Sequence, residues 1–371
     1  MAIWTIIGRI VLISLASLVG LVAVMAGILL ILSPGNPKPF TDANGSHLAG
    51  SISEKVYVPI NGIEQGMFIK GKDATNPVLL YVHGGMPDYF LTERYPTGLE
   101  EYFTVCWWEQ RGSGLSARAG SRAKPVTAEQ LVSDTIEVTN YLRNRFGEDK
   151  IYLMGHSGGT FVGIQAASRA PELYSAYLGV AQMADQLKSE RLAYDYLLAG
   201  FRRNGDTQMV SKLEAAPVTM EGGTPKAYLA IRDVAMHRLG VGTTHAMRSV
   251  TRGIFLQSLQ FSEYTLREKI NLWRAKAASG ASVLWGTMIS TSMVHQVPEL
   301  DLPVYFFEGV YDYTCSYTEA KAYFDKLKAP LKGFYTFNNS AHSPMLEEPA
   351  KMQKILREDV LTGTNHLADP T

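Results

Sequence analysis

An apolar run that stops at a Gly-His-Ser-Gly-Gly turn constrains the fold of this chain more than any other feature. Residues 151–154 are apolar, and a helical pattern follows the turn up to residue 170. This order predicts a strand, a sharp turn and a helix. Gly155 and Gly159 lack the Cβ atoms that would clash in so tight a turn, so Ser157 is lifted clear of the sheet. Because free N–H groups at a helix N-terminus favour negative charge, Ser157 is a candidate nucleophile; an ordinary turn into a helix is the alternative.

Strand-like runs alternate with helical patterns on both sides of this turn. Val78–Val82 is continuously apolar, as in strands that are buried on both faces of a sheet. Thr127 and Gln130 form a capping pattern before a helix that should end at Gly147. Strands that alternate with helices of this length imply an α/β fold, with a mostly parallel sheet and helices on both faces.

The strand signal disappears in one long segment. Residues 183–300 read as amphipathic helices with Gly and Pro breaks, and apolar strands resume at Pro303–Phe307 and Lys332–Phe337. We interpret this segment as a helical cap inserted in a catalytic core. The predicted organisation is an anchor, a linker, the first part of the core, the cap and the second part of the core: residues 1–32, 33–51, 52–182, 183–300 and 301–371.

The N-terminal segment is long and apolar enough to cross a membrane. Residues 10–32 carry no charge, and the helical rise lets such a run span a hydrocarbon core of roughly 30 Å. A cleaved signal peptide is the alternative, but its apolar region would be shorter and would end at a small-x-small site. Arg9 before the span and only Lys38 close behind it favour a single-pass protein whose catalytic domain is extracytoplasmic. The Pro/Gly-rich linker would hold that domain off the membrane.

A serine nucleophile needs a base and a group that orients the base. Asp312 follows a predicted buried strand, and His342 follows the last one, at the sheet edge where active-site loops gather. The order Ser157, Asp312, His342 is that of the α/β-hydrolases. Asp185, after the preceding strand, is the reserve acid. Only His342 and His366 lie beyond Asp312, and His366 is in a polar tail.

Acyl transfer also needs donors for the oxyanion. These are typically the N–H after the nucleophile and a second N–H from the loop after the third strand. Gly158 and Gly85 occupy those places in the sequence. A tight strand-to-loop turn is the alternative explanation for Gly84 and Gly85.

Composition narrows the choice of partners. The chain has 35 basic and 35 acidic residues, so its net charge does not suggest a nucleic acid as partner. Its two cysteines, Cys106 and Cys315, are expected to be buried apolar residues rather than a disulfide. Neither a metal nor an organic cofactor is expected, because ligand-spaced His/Cys clusters and a dinucleotide glycine pattern are missing from the sequence.

With these residues assembled, the chain resembles the α/β-hydrolases and, more narrowly, the proline iminopeptidase-like serine peptidases. The resemblance covers residues 56–360. The family's three motifs appear here as His-Gly-Gly at 83–85, Glu-Gln-Arg-Gly-Ser-Gly-Leu-Ser at 109–116 and Gly-His-Ser-Gly-Gly-Thr at 155–160. The chain departs from the family at two points: Glu109 replaces an aspartate, and the Pro-Gly pair expected after Gly85 is missing.

The resemblance implies a serine hydrolase that cleaves N-terminal residues of peptides, amides or esters through an acyl-enzyme, and the apolar N-terminal run adds a membrane anchor. In that family, cap carboxylates hold the free amine of the substrate, and Glu190 and Asp195 are the candidates here. Two alternatives remain open: a lipase or esterase that acts on acyl esters, and a hydrolase-shaped protein that binds without turnover because its oxyanion loop is short.

Overall fold

An eight-stranded sheet, in the order β1-β2-β4-β3-β5-β6-β7-β8, organises the chain. We describe it from a computed structural model that covers residues 2–117 and 126–370; residues 118–125 of the expected first part of the core lie outside it. β1 and β2 pair antiparallel, β2 pairs antiparallel with β4, and the other neighbours pair parallel. The predicted mostly parallel sheet is confirmed. The strands are β1 (Ile52–Ile60), β2 (Ile63–Gly71), β3 (Val78–Val82), β4 (Thr104–Trp108), β5 (Ile151–His156), β6 (Tyr174–Val180), β7 (Val304–Gly309) and β8 (Lys332–Phe337).

Helices cover both faces of this sheet, as the sequence predicts. The described helices are α1 (Ala2–Ile31), α2 (Ala128–Phe146), α3 (Gly158–Arg169), α4 (Gln186–Arg203), α5 (Thr207–Glu214), α6 (Lys226–Leu239), α7 (Leu256–Gln260), α8 (Leu266–Ser279), α9 (Trp285–Ser290), α10 (Met293–Gln296), α11 (Tyr317–Lys326), α12 (Pro344–Glu347) and α13 (Pro349–Ile355), with π-helical turns at Thr251–Phe255 and Leu356–Val360.

Burial on both faces of the sheet explains why the central strands are continuous apolar runs in the sequence. All five residues of β3 are buried, and successive side chains enter different cores. Leu80 and Val82 pack on one face of the sheet, whereas Leu79 and Tyr81 pack on the other. This alternation is the period of two that a strand imposes, so a doubly covered strand must be apolar at every position.

The ends of α2 follow its sequence signals. The side chain of Thr127 accepts a hydrogen bond from the N–H of Gln130 at 3.1 Å. At the other end, Gly147 adopts a left-handed conformation with φ of 72°. Both caps satisfy backbone groups that a helix end leaves without partners.

The segment between β6 and β7 contains helices α4 to α10 in place of strands. Its own apolar cluster joins α4, α5 and α6, with Leu197, Leu213 and Tyr228 fully buried. A helical cap with its own core therefore stands on the carboxyl edge of the sheet, where the cleft described below opens.

Helix α1 leads into a segment that is folded onto the body. Ile7–Ile31 is long and apolar enough to span a membrane, and its described side chains face outward. Beyond it, Ser33 and Gly35 are buried. The Lys269 ammonium donates to the carbonyl of Leu32 at 2.8 Å, and Pro34 forms a β-bridge with Thr265. The start of the expected linker is therefore docked on the cap and is not a free spacer.

Candidate active site

Ser157 lies in a strained turn between β5 and α3. Its φ of 57° and ψ of −127° are unusual for a residue with a side chain. Its N–H donates to the carbonyl of Val180 at 3.0 Å, which ties the turn to the neighbouring strand. A Cβ at Gly159 would overlap the carbonyl oxygen of Val82, so only glycine fits there. The backbone thus holds the Ser157 side chain above the carboxyl edge of the sheet.

Asp312 and His342 follow β7 and β8 and meet at the same edge. The Nδ1 atom of His342 lies 2.8 Å from Oδ2 of Asp312. The other oxygen, Oδ1, accepts the N–H groups of Thr314 at 2.7 Å and Cys315 at 3.1 Å. Since the buried carboxylate is an acceptor, it favours the proton on Nδ1 and leaves Nε2 available as a base.

Ser157 and His342 both line one cleft between the sheet and the cap. The structure thus places Ser157 and His342 in the lining of one cleft and pairs His342 with Asp312, and their roles as nucleophile, base and orienting acid stay predictions. Asp185, the reserve acid, is elsewhere: its side chain caps α4 by accepting the N–H of Lys188 at 3.2 Å.

The two candidate oxyanion donors flank the serine. A Cβ placed on Gly84 would lie 2.7 Å from the Cβ of Ser157, so the loop after β3 touches the nucleophile. Gly85 follows it and lines the cleft with Gly158. Gly158 is the first residue of α3, where a helix has no internal acceptor for its N–H. Within the described residues, the N–H of Gly85 has no protein acceptor either.

The Glu-Gln-Arg motif holds this loop in place. The N–H of Gln110 donates to Nε2 of His83 at 3.1 Å, and its side-chain amide donates to the carbonyl of His83 at 2.5 Å. The other ring nitrogen of His83 donates to the carbonyl of Gly84 at 2.9 Å. Burial lowers the pKa of His83 to about 4, so the ring stays neutral and can serve as both donor and acceptor.

Two further residues of the motif are buried and bonded. Arg111 donates to both oxygens of Asp134 on α2, at 2.7 and 2.9 Å. Glu109 accepts the N–H of Leu115 at 2.5 Å and the hydroxyl of Tyr264, and burial raises its pKa to about 8. The motif is therefore a scaffold under the oxyanion loop, and its carboxylate at position 109 does not line the cleft.

A clamp around His156 was not recognised in the sequence. Its Nδ1 lies 2.9 Å from the Asp88 carboxylate, and its Nε2 lies 2.9 Å from the carbonyl oxygen of His342. Both partners are acceptors, so a doubly protonated ring fits. Burial would lower the pKa of His156, but the hydrogen bond and charge of Asp88 override it and raise the pKa above its usual value. The clamp ties the residue before the nucleophile to the loop that carries the candidate base.

The cleft is mainly apolar with a charged group at its cap side. Arg232, Asp233 and Lys276 provide the cap-side charges, and an Arg232 nitrogen lies 3.0 Å from an Asp233 oxygen. Burial lowers the pKa of Lys276, and the nearby Asp233 opposes that shift. The apolar lining consists of Met86, Phe90, Leu91, Met183, Met236, Val250, Ile254, Trp273, Trp285 and Met288.

The two cap carboxylates expected to hold a substrate amine lie outside the cleft lining. Glu190 is fully buried and receives the Arg232 guanidinium at 2.8 Å and the Tyr228 hydroxyl at 2.9 Å. Asp195 has a half-exposed side chain paired with Arg191 at 3.0 Å, one helical turn away. The structure does not bring either carboxylate to the cleft lining, because the first is fully buried in the cap and the second is half-exposed to solvent. Asp233 is the cap carboxylate that faces the cleft.

Within residues 2–117 and 126–370, no group of three or more His, Cys, Asp or Glu side chains could hold a metal ion. The two cysteines are buried and unpaired, as expected.

Comparison with known proteins identifies the family. The family model Hydrolase_4, described as serine aminopeptidase S33, matches residues 75–201. The probable aminopeptidase YbaC of Bacillus subtilis (strain 168) is 31% identical over 307 residues, 81% of this chain and 94% of that protein. The chain therefore belongs to the S33 serine aminopeptidase family of the α/β-hydrolase superfamily, and the predicted serine hydrolase is confirmed.

Solved structures show the same fold at low identity. The proline iminopeptidase of Mycobacterium smegmatis has a TM-score of 0.57 and 16% identity, over 83% of this chain and 98% of that one. A thermophilic esterase of Thermogutta terrifontis has a TM-score of 0.51 and 17% identity, also over 83% and 98%. These two structures therefore show that the chain shares their fold.

Proposed function

We propose that this protein is a membrane-anchored serine hydrolase that releases N-terminal residues from short peptides or amino-acid amides through an acyl-enzyme. The observation that carries the proposal is the convergence of a strained serine turn and a buried His–Asp pair on one cleft. The 31% sequence identity of the chain to a probable aminopeptidase supports a peptide as substrate.

The proposed reaction follows from the arrangement of proton donors and acceptors in the site. Oγ of Ser157 attacks the carbonyl carbon, and its proton passes to Nε2 of His342. Asp312 stabilises the imidazolium that forms. The N–H groups of Gly85 and Gly158 receive the oxyanion. The proton then passes to the leaving amine, and a water molecule activated by the same histidine releases the acid.

The choice of an amine-bearing substrate rests on Asp233. Its carboxylate faces the cleft, and the charge of Arg232 keeps its pKa below the usual value although burial opposes this. An ionised carboxylate at that place can pair with the free amine of a peptide N-terminus. In this proposal, Asp233 takes the role that was expected of Glu190 and Asp195.

A second function, that of an esterase, is favoured by the apolar lining of the cleft. Met, Trp, Phe and Leu side chains surround the serine, and they would accept an acyl chain without any need for an amine contact. An esterase of similar fold supports this candidate.

A panel of substrates tests the two functions. Amino-acid amides and acyl esters of matched size would be compared for the wild type, S157A, D233N and D195N. We expect S157A to lose activity on all of them, and D233N to raise KM by about tenfold for amides only, which corresponds to about 1.4 kcal/mol. D195N is the matched control, because this cap carboxylate lies outside the cleft. Equal effects of D233N on amides and esters would favour the esterase.

The anchor is part of the proposal. Ile7–Ile31 is long and apolar enough to span a membrane, a test that a signal sequence near the N-terminus also passes. The hydrogen bonds of Lys269 to Leu32 and Ser33 favour retention, since they use the end of this segment as part of the fold. An epitope tag placed before residue 1 should stay on the full-length protein in washed membranes; a tag-free mature protein in the soluble fraction would contradict the anchor.

A further inference from the structure

Three exposed apolar side chains lie on neighbouring elements of the cap, which a hydrogen bond from Trp273 to Ser258 joins. Phe255 and Leu256 lie where the π-helical turn meets α7, and Ile270 lies on α8, with exposed fractions of 36%, 41% and 50%. We call these three residues, with the exposed Arg252 and Arg267, the basic–apolar surface. Large apolar side chains exposed in one group mark an interaction site more often than isolated ones do.

This surface is fastened to the exit of the proposed membrane span. Lys269, next to Ile270, donates to the carbonyl of Leu32 at 2.8 Å, the hydroxyl of Ser33 at 2.9 Å and the carbonyl of Leu259 at 2.6 Å. A buried ammonium with three such acceptors fixes α7 and α8 beside the last turn of α1. Whatever surface the span emerges from must therefore lie close to the basic–apolar surface.

The charges on this part of the cap have one sign. Between residues 248 and 276, the only acidic residues are Glu263 and Glu268, and each pairs with a lysine of the core at 3.3 and 2.9 Å. The exposed charged residues there are all arginines: Arg248, Arg252, Arg267 and Arg274. Apolar side chains bordered by arginines match the boundary between acyl chains and anionic headgroups.

The same elements form a wall of the cleft. Ile254 and Trp273 line the cleft that contains Ser157. The ring of Trp273 meets the ring of Phe255 edge-on, with centroids 5.0 Å apart. One thin layer of the cap therefore separates the basic–apolar surface from the cleft.

We propose that the basic–apolar surface rests in the headgroup layer of an anionic bilayer beside α1, so that the cleft takes its ester or amide substrate from the membrane. This inference rests on the proposed anchor and names the source of substrate for the proposed hydrolase. Burial of the three apolar side chains and attraction of the arginines to anionic lipid both favour the docked position.

Spin labels in the full-length chain measure the docking without any substrate. Leu256→Cys and Ile270→Cys would be labelled in bilayer discs of phosphatidylcholine mixed with phosphatidylglycerol; the native cysteines are buried. Met220→Cys, an apolar cap residue with an exposed fraction of 46%, is the matched control. We expect labels at 256 and 270 to collide more with oxygen than with a water-soluble nickel complex, and the label at 220 to do the reverse. Water-like collisions at all three positions would overturn the proposal.

Charge reversal adds a second readout. In R252E/R267E the ratio of hydrolysis of a membrane-dissolved ester to that of a water-soluble ester should fall at least about 30-fold, because losing the attraction of each arginine alone is worth about fivefold and each new glutamate adds repulsion. R203E/K212E carries the same charge change on exposed residues of another cap face and should leave the ratio unchanged. Equal ratios in both variants would contradict membrane delivery. If the wild type hydrolyses neither ester, the esterase candidate fails, the amide panel above still decides the proposed function, and the spin labels still decide the docking.

Discussion

The catalytic core and the cap position their charged side chains by different rules. In the core, Ser157, Asp312 and His342 each follow the carboxyl end of a parallel strand, so sheet pairing brings them to one edge. In the cap, the helix carboxylates at 190 and 195 point away from the cleft and pair with arginines. The position of a residue after a strand end thus determines that its side chain lies at the sheet edge. On a cap helix, the direction of a charged side chain depends instead on the residues that it packs against.

The largest expected effect is a difference in kcat between variants of Asp312 and Asp185, two aspartates that follow neighbouring strands. Asp312→Asn should lower kcat by about 10⁴-fold, because an amide would no longer hold the proton on Nδ1 of His342 or stabilise the imidazolium. Asp185→Asn should lower it by less than about tenfold, since Asp185 caps α4 and pairs with Lys188 outside the cleft lining. Steady-state hydrolysis of a soluble chromogenic ester measures both. An equal loss of kcat in the two variants would contradict the assignment of Asp312, and not Asp185, as the acid that orients His342.

The next effect concerns the two cap carboxylates. Glu190→Ala should destabilise the protein by about 3–5 kcal/mol, because it leaves the buried Arg232 guanidinium without its main partner. Asp195→Ala should change the free energy of unfolding by less than about 0.5 kcal/mol, since its ion pair is exposed. Denaturant unfolding monitored by circular dichroism compares them. A similar cost for both would show that the cap does not depend on the buried pair.

A smaller effect is expected where the core loop meets the nucleophile. Gly84→Ala puts a methyl group 2.7 Å from the Cβ of Ser157, so the loop must shift, and the loss of one oxyanion donor should lower kcat by about 10²-fold. Gly286→Ala on cap helix α9 adds a methyl group into open space and should stabilise that helix slightly. Rates and thermal unfolding of both variants provide the measurement. Wild-type kcat in G84A would mean that this loop takes no part in catalysis.

The smallest effect is a dependence of stability on pH that comes from the core clamp. The pKa of His156 is raised in the folded state, so its contribution is complete below the unfolded pKa of about 6.5 and is lost as pH rises through the raised value. His156→Gln should remove this loss, which we expect to be about 1 kcal/mol. His366→Gln, in the C-terminal tail, serves as the control. The free energies of unfolding of the wild type and H156Q would be measured from pH 6 to 9. If both free energies changed with pH in parallel, the clamp would be contradicted.

The sequence predicted the features that local patterns determine. The apolar run of β3, the caps of α2 and the turn at Ser157 each depend on residues close in the chain, and the structure has them where the patterns indicate. The chain order of Asp312 and His342 could be interpreted because parallel strands end at one edge.

The rest of the site depends on distant packing, which no local pattern records. Asp88 and His156 are in contact only because the loop after β3 folds over the turn at Ser157. Asp233 and Lys276 reach the cleft from different cap helices, whereas Glu190 is turned inward by Arg232. Only the spacing of Asp233 and His237, one helical turn apart, hinted at a shared polar face on α6.

The central claim is that the hydroxyl of Ser157, the imidazole of His342 and the carboxylate of Asp312 act as one unit. Inactivation by a fluorophosphonate, with the modified residue located by mass spectrometry, tests it most directly. We predict one adduct per chain, on Ser157, at a rate that falls at least about 10³-fold in H342Q and in D312N while both variants stay folded. An adduct on another residue, or a wild-type rate of inactivation in H342Q, would contradict the account.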